Sequence, residues 1–318
     1  MQEQEYTDYL DFERPIAELE SKVEGIRRLS QTEGLNIARE VAKLEDKLNR
    51  EIVRIYTKLT PWQTVQVARH PRRPHALAYI CRLFTEFTPL AGDRSFGDDK
   101  AVIGGLARFG GRPCVVVGQE KGHDISTRIE HNFGMPYPEG YRKAIRLMDL
   151  AERFGLPLLA FVDTAGAYPG IEAEERGQAQ AIAAAMEKSA TLTVPFVSTI
   201  IGEGGSGGAI ALATANRVLM LGNAIYSVIS PEGASSILWK SAAQAKTAAE
   251  AMRITAPDLK KLGVIDEIVE EPLGGAHRDP DAAIDACGRA IEAQLKLLDR
   301  LSPTALRAQR KERFLRLG

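Results

Sequence analysis

The chain has 318 residues, 44% hydrophobic and 26% charged, with a formal net charge of −1. That length and apolar content allow one large domain with appendages, and near-neutrality argues against general nucleic-acid affinity, which rests on many lysine and arginine contacts. No apolar run approaches the roughly 18 residues of a membrane span and no charged-then-apolar leader opens the sequence, so a soluble, cytoplasmic protein is expected.

Ile16, Leu19, Val23, Ile26 and Leu29 recur at three and four, as do Ile37, Val41, Leu44, Leu48, Ile52 and Ile55 after a break at 31–34. Two such amphipathic helices make a helical hairpin over 1–60, whose apolar seam closes on its own domain or contacts another subunit; the latter is the expectation. Residues 61–100 read as a connector. They hold the densest basic cluster, RHPRRP at 69–74, bounded by prolines and without interleaved aromatics. A solvated or intersubunit loop is expected there, with a phosphate or RNA anchor as the alternative.

A core spans 101–275. Strands at 101–109 and 113–118 flank the turn FGGR, a helix covers 139–154, and an apolar strand at 156–162 runs into DTAGAYPG (163–170) and a long helix at 172–188. A second strand, 194–201, breaks into GEGGSGGA (202–209) before a helix-forming run at 209–215. Strands near 217–221 and 225–228, a helix at 257–262 and a strand at 265–269 continue the alternation. Residues 276–318 carry an amphipathic helix, 281–301, and a last basic helix from Pro303. The three cysteines, Cys81, Cys114 and Cys287, are far apart and odd in number, so no disulfide framework, Cys-x-x-Cys site or bound metal is expected.

A strand that breaks into glycines and restarts as a helix aims free backbone N–H groups at an anionic oxygen. The right-handed crossover sets the loops 163–170 and 202–209 side by side at one sheet edge, and two donors from neighbouring loops make an oxyanion hole worth about 3–4 kcal/mol per donor. A Walker loop is excluded because no lysine lies between 189 and 238, and Gly-x-Gly-x-x-Gly fits poorly. Two alternatives stay open: a nucleophile elbow centred on Ser206, with His277 as the only later histidine, and glycines that merely allow close packing.

These residues, with NFGM (132–135), PEGYRK (138–143), EERGQ (174–178), IGEGGSGG (201–208), SVISPEG (227–233), ILWK (237–240) and PLGGAHR (272–278), resemble the alpha subunits of bacterial acetyl-CoA carboxylase carboxyltransferases from about Phe12 to the C-terminus. Ala165 departs from the proline of many relatives, and KGHDISTR (121–128) is less basic than in some. The resemblance implies an α/β, crotonase (ClpP/crotonase-like) fold of repeated ββα units, with the N-terminal hairpin and C-terminal helices appended. It also implies transfer of a carboxyl group from carboxybiotin, on a separate biotin carboxyl carrier protein, to acetyl-CoA, giving malonyl-CoA for fatty-acid synthesis. A beta subunit bearing a four-cysteine zinc ribbon and a second alpha subunit would complete an alpha-two beta-two assembly. ATP would be used only by the biotin carboxylase component, and the chain has neither a biotin-attachment Met-Lys nor an ATP-grasp signature.

Carboxybiotin decomposes to CO2 and a biotin anion, and acetyl-CoA becomes an enolate; both steps load an oxygen with charge, and the biotin anion can take the alpha proton, so no side-chain base is required. The expected donors are Gly207 and Gly208 at the helix start, with Gly166 and Ala167 on the neighbouring loop. Gly204, Gly205, Ser206, Tyr168, Pro169 and Gly170 would form the substrate surface, with Tyr168 either lining the pocket or acting as a packing lid. By the same resemblance the alpha half faces mainly the biotin urea. The rivals are an enoyl-CoA hydratase or isomerase and a non-catalytic scaffold or RNA-binding subunit. A hydratase needs two carboxylates; Glu232 is one candidate, or only a helix N-terminal acid, and none follows Gly208, where the sequence reads AIAL.

Overall fold

The computed structural model describes residues 9–33 and 38–317. Helices α1 (Arg14–Glu33) and α2 (Ala38–Tyr56) pack on each other as the expected hairpin, burying Ile16, Leu19, Val23 and Ile52. Gly34, at the end of the expected break, and Ile37, the first apolar position of the second helix, lie outside the described residues, whereas residues 31–33, read as part of that break, continue α1. The stretch read as a connector carries regular structure. Helix α3 (Pro61–Ala68) starts at a Thr60–Gln63 capping box, and helix α4 (Ala76–Leu83) leads directly into strand β1 (Phe84–Pro89), an edge strand of the main sheet. Each helix is about two turns long, too short for a helical period to stand out.

Strands β2 (Val102–Phe109) and β3 (Arg112–Gln119) form a hairpin around Gly110 and Gly111, at φ +56° and +80°, the left-handed pair that a tight hairpin turn demands. The chain continues through α5 (Ile125–Glu130), α6 (Pro138–Phe154), β4 (Leu158–Thr164), α7 (Ile171–Glu175), α8 (Gln178–Thr191), β5 (Phe196–Gly205) and α9 (Ser206–Ala213). After these come β6 (Arg217–Leu221), β7 (Ile225–Ser227), α10 (Pro231–Trp239), α11 (Ala245–Met252), α12 (Ala256–Lys261), β8 (Glu267–Val269), α13 (Pro280–Leu298) and α14 (Pro303–Leu315). The single helix expected at 172–188 is two, because Gly177, left-handed at φ +79°, ends α7 and starts α8.

The sheet runs β1-β2-β3-β4-β5-β6-β8, with β7 paired to the outer end of β5. Strands β1 to β3 are antiparallel, and every pairing from β3 onward is parallel. Every residue of β4 and β5 is buried, as expected where helices cover both faces of parallel strands. Their register pairs Leu158 with Phe196 through Val162 with Ile200, then slips so that Thr164 faces Gly204. Both strands therefore end together: β4 opens into the loop at 165–170, while β5 runs on through Gly205, past the expected break at 202, and turns directly into α9 at the same edge. At the other end of the chain, α13 buries Cys287, Ile291, Leu295 and Leu298, and α14 buries Arg310, whose guanidinium donates to the carbonyls of Leu192 (2.7 Å) and Val194 (3.3 Å) and to Asn216 Oδ1. The basic C-terminal helix is thus fastened to its own core.

Candidate functional site

Two backbones cross at the edge where β4 and β5 end. A Cβ built on Gly205 would stand 2.1 Å from the Ala165 carbonyl oxygen, and one on Gly208 would stand 2.9 Å from Gly166 C and 3.1 Å from Ala167 N. Real Cβ atoms do not approach so closely, so only glycine fits either position. Between them Ser206 takes φ +52°, the left-handed bend that turns a strand into a helix without an intervening loop. The first turn of α9 has no side-chain cap, and the leading amides of a helix, here those of Gly207 and Gly208, have no partner within it. Across the gap the Ala167 N–H meets no acceptor among the described residues.

Gly166 departs from expectation. Its N–H donates to Thr164 Oγ1 (3.1 Å), and that hydroxyl donates to the Gly166 carbonyl (2.8 Å). A threonine two residues upstream closes this local turn on the backbone, so the Gly166 amide is taken. Tyr168 packs its ring on Tyr137 at 4.3 Å between centroids, its N–H donates to Pro136 O, and Gln178 Nε2 holds its carbonyl at 2.9 Å. A Cβ on Gly170 would strike that ring at 2.2 Å. Pro169 is exposed, and the Gly170 carbonyl accepts the first hydrogen bonds of α7.

Residues that the sequence did not single out hold the bends in place. Gln119, the last residue of β3 and fully buried, donates from Nε2 to the Gly208 carbonyl (2.7 Å) and accepts at Oε1 from the Asp163 N–H (3.2 Å). It clamps the two loops with one side chain. Asp163, also buried, accepts at Oδ1 from the Glu203 N–H (2.9 Å) and Lys121 Nζ (2.7 Å), and pairs at Oδ2 with His75 Nδ1 (2.9 Å). Burial would raise its pKa, but Lys121 and His75 hold the carboxyl well below the usual range. Lys121 also reaches Glu203 (3.3 Å), and Arg69 bridges Glu203 (2.7 Å) to Glu232 (2.6 Å).

In the basic cluster at 69–74, Pro71 and Arg72 are exposed, but the other two arginines are turned inward. Arg69 is spent on Glu203 and Glu232, and Arg73, fully buried, makes a bidentate pair with Glu271 (2.6 and 3.0 Å) while donating to Ile201 O (2.7 Å). Glu232 stands in the first turn of α10 after Pro231, beneath an N-cap from Ser230 to the Gly233 N–H. Burial pushes its pKa up and the Arg69 guanidinium more than offsets this, leaving it lowered. A carboxylate held ionised in this way is a poor proton donor.

His277, the histidine that a triad would need, is buried elsewhere: it stacks on His70 at 4.0 Å, and Tyr56 donates to Glu13 (2.6 Å) beside it. Among the described residues, Glu13, His70 and His277 are the set whose types and proximity, within 4.8 Å, would suit a metal. Face-to-face imidazoles only 23° from parallel run their nitrogen lone pairs side by side instead of toward one point, and Tyr56 already occupies the carboxylate. The cluster instead joins α2 and the turn before α1 to the loop at 272–278.

Comparison with known proteins puts this geometry in context. The family described as "Acetyl co-enzyme A carboxylase carboxyltransferase-like" matches residues 9–318. A Methylobacterium sp. (strain 4-46) protein called acetyl-coenzyme A carboxylase carboxyl transferase subunit alpha is 63% identical over 311 residues, 98% of each chain. Among solved structures, a Pseudomonas malonate decarboxylase hetero-dimer is similar at TM-score 0.59 and 18% identity, over 76% of this chain and 95% of that one. The transcarboxylase 12S hexamer is similar at TM-score 0.57 and 17% identity, over 70% of this chain but 41% of its own longer one. At such identities the structures bear on the fold.

Proposed function

This chain belongs to the family of acetyl-CoA carboxylase carboxyltransferase alpha subunits and has the crotonase fold, and we propose that its two glycine bends form the oxyanion hole of the transferase. The reaction moves a carboxyl group from carboxybiotin to acetyl-CoA and yields malonyl-CoA. Carboxybiotin, when delivered by its carrier, supplies the carboxyl group and a ureido oxygen that gains negative charge as the group leaves.

The Gly207 and Gly208 amides at the start of α9 would donate to that oxygen, with the Ala167 amide as a third donor from the facing loop. Gly166 is left out, since Thr164 holds its N–H. Preorganised donors of this kind contribute about 3–4 kcal/mol each to the transition state. Gln119 and Asp163 keep the donors aimed: Gln119 by holding the Gly208 carbonyl against the Asp163 amide, Asp163 by fixing the end of β5 through the Glu203 N–H. Gly204, Gly205 and Ser206 form the floor, and Tyr168, Pro169 and Gly170 form the wall toward α7. The crossing of Gly205 and Gly208 over residues 165–167 at distances that exclude a Cβ is the observation that carries this reading.

Kinship with carboxyltransferase alpha subunits implies a beta subunit that carries the zinc-ribbon module. The three cysteines of this chain are free thiols. Val228, Ile237 and Leu238, more than two-thirds exposed at the exit of β7 and the end of α10, offer that subunit an apolar surface. We assign 101–275 as the carboxyltransferase core, to whose sheet 61–100 adds the edge strand β1, 276–318 as its C-terminal helices, and the 1–60 hairpin as a contact to a second alpha subunit. No described helix is long and apolar enough to cross a membrane, and a cytoplasmic site of action goes with the substrates.

Substitution of the tightest crossing tests the hole. Gly208→Val should drive the bends apart and lower malonyl-CoA formation at least about a hundredfold, the cost of losing one oxyanion donor, while gel filtration shows unchanged assembly with the beta subunit. Full turnover in that variant would remove the backbone donors from the mechanism.

A further inference from the structure

Beside the Ala165 bend lies a cavity of about 230 Å3, bordered by Arg69, Lys121, Arg128, Phe133, Ala165 and Glu203 among others. Two of its three cations are engaged: Arg69 with Glu203 and Glu232, Lys121 with Asp163 and Glu203. The third, Arg128 at the end of the short helix α5, has no ion pair or side-chain hydrogen bond among the described residues, although it is half-buried. A guanidinium in that state presents its whole planar fork to whatever enters.

Phe133 is held at the same cavity against its own preferences. Asn132, Phe133 and Gly134 take φ +47°, +54° and +74° in succession, and a bulky residue in the left-handed region is strained. The third position enforces the turn: a Cβ on Gly134 would fall 2.6 Å from Lys121 Cγ and 2.9 Å from Asp163 O. The outcome is a phenyl ring left 52% exposed at the cavity. Strain that leaves an aromatic ring exposed at a cavity mouth is strain with a binding use.

We infer that Arg128 and Phe133 recognise the carboxylated ring presented by the carrier, Arg128 by pairing with the carboxylate and Phe133 by packing on the ring. The inference rests on the oxyanion reading of the neighbouring bends. A phosphate of CoA would gain nothing from the phenyl face, whereas a flat, carboxylated heterocycle uses both groups at once. The cavity thus orients the donor's carboxyl group while the bends receive the ureido oxygen.

The test uses this chain assembled with its beta partner and follows decarboxylation of malonyl-CoA dependent on added biocytin, with the two KM values measured separately. Arg128→Gln should lower kcat of the biocytin-dependent reaction about tenfold or more, the loss expected of one charge-assisted pair that forms only as the carboxyl group reaches the ring, and leave the KM for malonyl-CoA unchanged. Arg128→Lys should recover part of the loss by keeping the charge, and Phe133→Leu should raise the biocytin KM without altering the malonyl-CoA KM. An unchanged kcat in Arg128→Gln together with an unchanged biocytin KM in Phe133→Leu, or a rise in the malonyl-CoA KM instead, would overturn the assignment. Failure of the bends themselves reads differently, as retained turnover in Gly208→Val.

Discussion

Ser206 stands at the centre of the bend, yet its backbone angle explains its place better than its hydroxyl. At φ +52° it lets β5 become α9 within one residue, so that the next two amides emerge at the edge instead of being absorbed in a loop. The elbow geometry is that of a serine nucleophile, but the histidine that would activate it is stacked on His70 and surrounded by Glu13 and Tyr56. An alanine suffers the same left-handed strain as serine and retains every peptide N–H. Ser206→Ala should therefore keep steady-state malonyl-CoA formation within about threefold of the parent, whereas loss of a true nucleophile costs on the order of a millionfold; a drop of about a thousandfold or more would restore the hydroxyl as a reacting group.

At the scale of elements, the join between the α3–α4 loop and the sheet is the most exposed to single changes. Arg73 enters from that loop with no side-chain exposure and meets Glu271, itself just beyond β8 and also accepting from the Asn223 and Ala276 N–H groups. Removing one partner of a buried pair strands the other charge, at a cost of about 3–5 kcal/mol. Arg73→Met should lose that much stability in urea unfolding, and a loss below about 1 kcal/mol would mean the pair is not coupled to the fold. The seam also shows where sequence reasoning stops. Strands β3, β4 and β5 were legible because each is a largely apolar run ended by glycine or a polar loop, and the crossover rule then brought the bends together. Arg73 was not, because its partner lies 198 residues away and the local sequence shows only a basic cluster. Gln119 was missed for a similar reason: its two contacts are 44 and 89 residues distant, and nothing near it in the sequence marks it as a clamp. Of the expected donors, Gly166 is one whose amide is engaged: the spacing gave the bend, but the hydroxyl of Thr164 takes its N–H.

Across the whole molecule, buried carboxylates sit at the seams, and that gives stability a defined dependence on pH. Asp93 fastens the loop after β1 to α6 through Arg142 (2.7 Å) and accepts from the Ser95, Phe96 and Gly97 N–H groups (2.8–3.0 Å). Burial would raise its pKa, but these contacts bring it from 3.8 down to about 2. Asp163 and Glu271 are likewise lowered, against the effect of burial, by Lys121 and Arg73. A group whose folded pKa lies below its unfolded value binds fewer protons when folded, so its contribution is complete above the unfolded pKa and disappears as pH falls through the folded one. Asp99 has the opposite sign: burial raises it to about 6, so its contribution is present below 3.8 and is lost as pH rises through 6. The two effects occupy different windows, and below pH 3.8 only the lowered carboxylates still change. The urea midpoint should therefore fall steeply between pH 4 and pH 2. Asp93→Asn, which keeps an acceptor for the three N–H groups but gives up the charge facing Arg142, should be less stable than the parent at pH 5, and the gap should close as pH approaches 2. A gap that stays constant over that range would show that the Asp93 charge adds nothing to the seam.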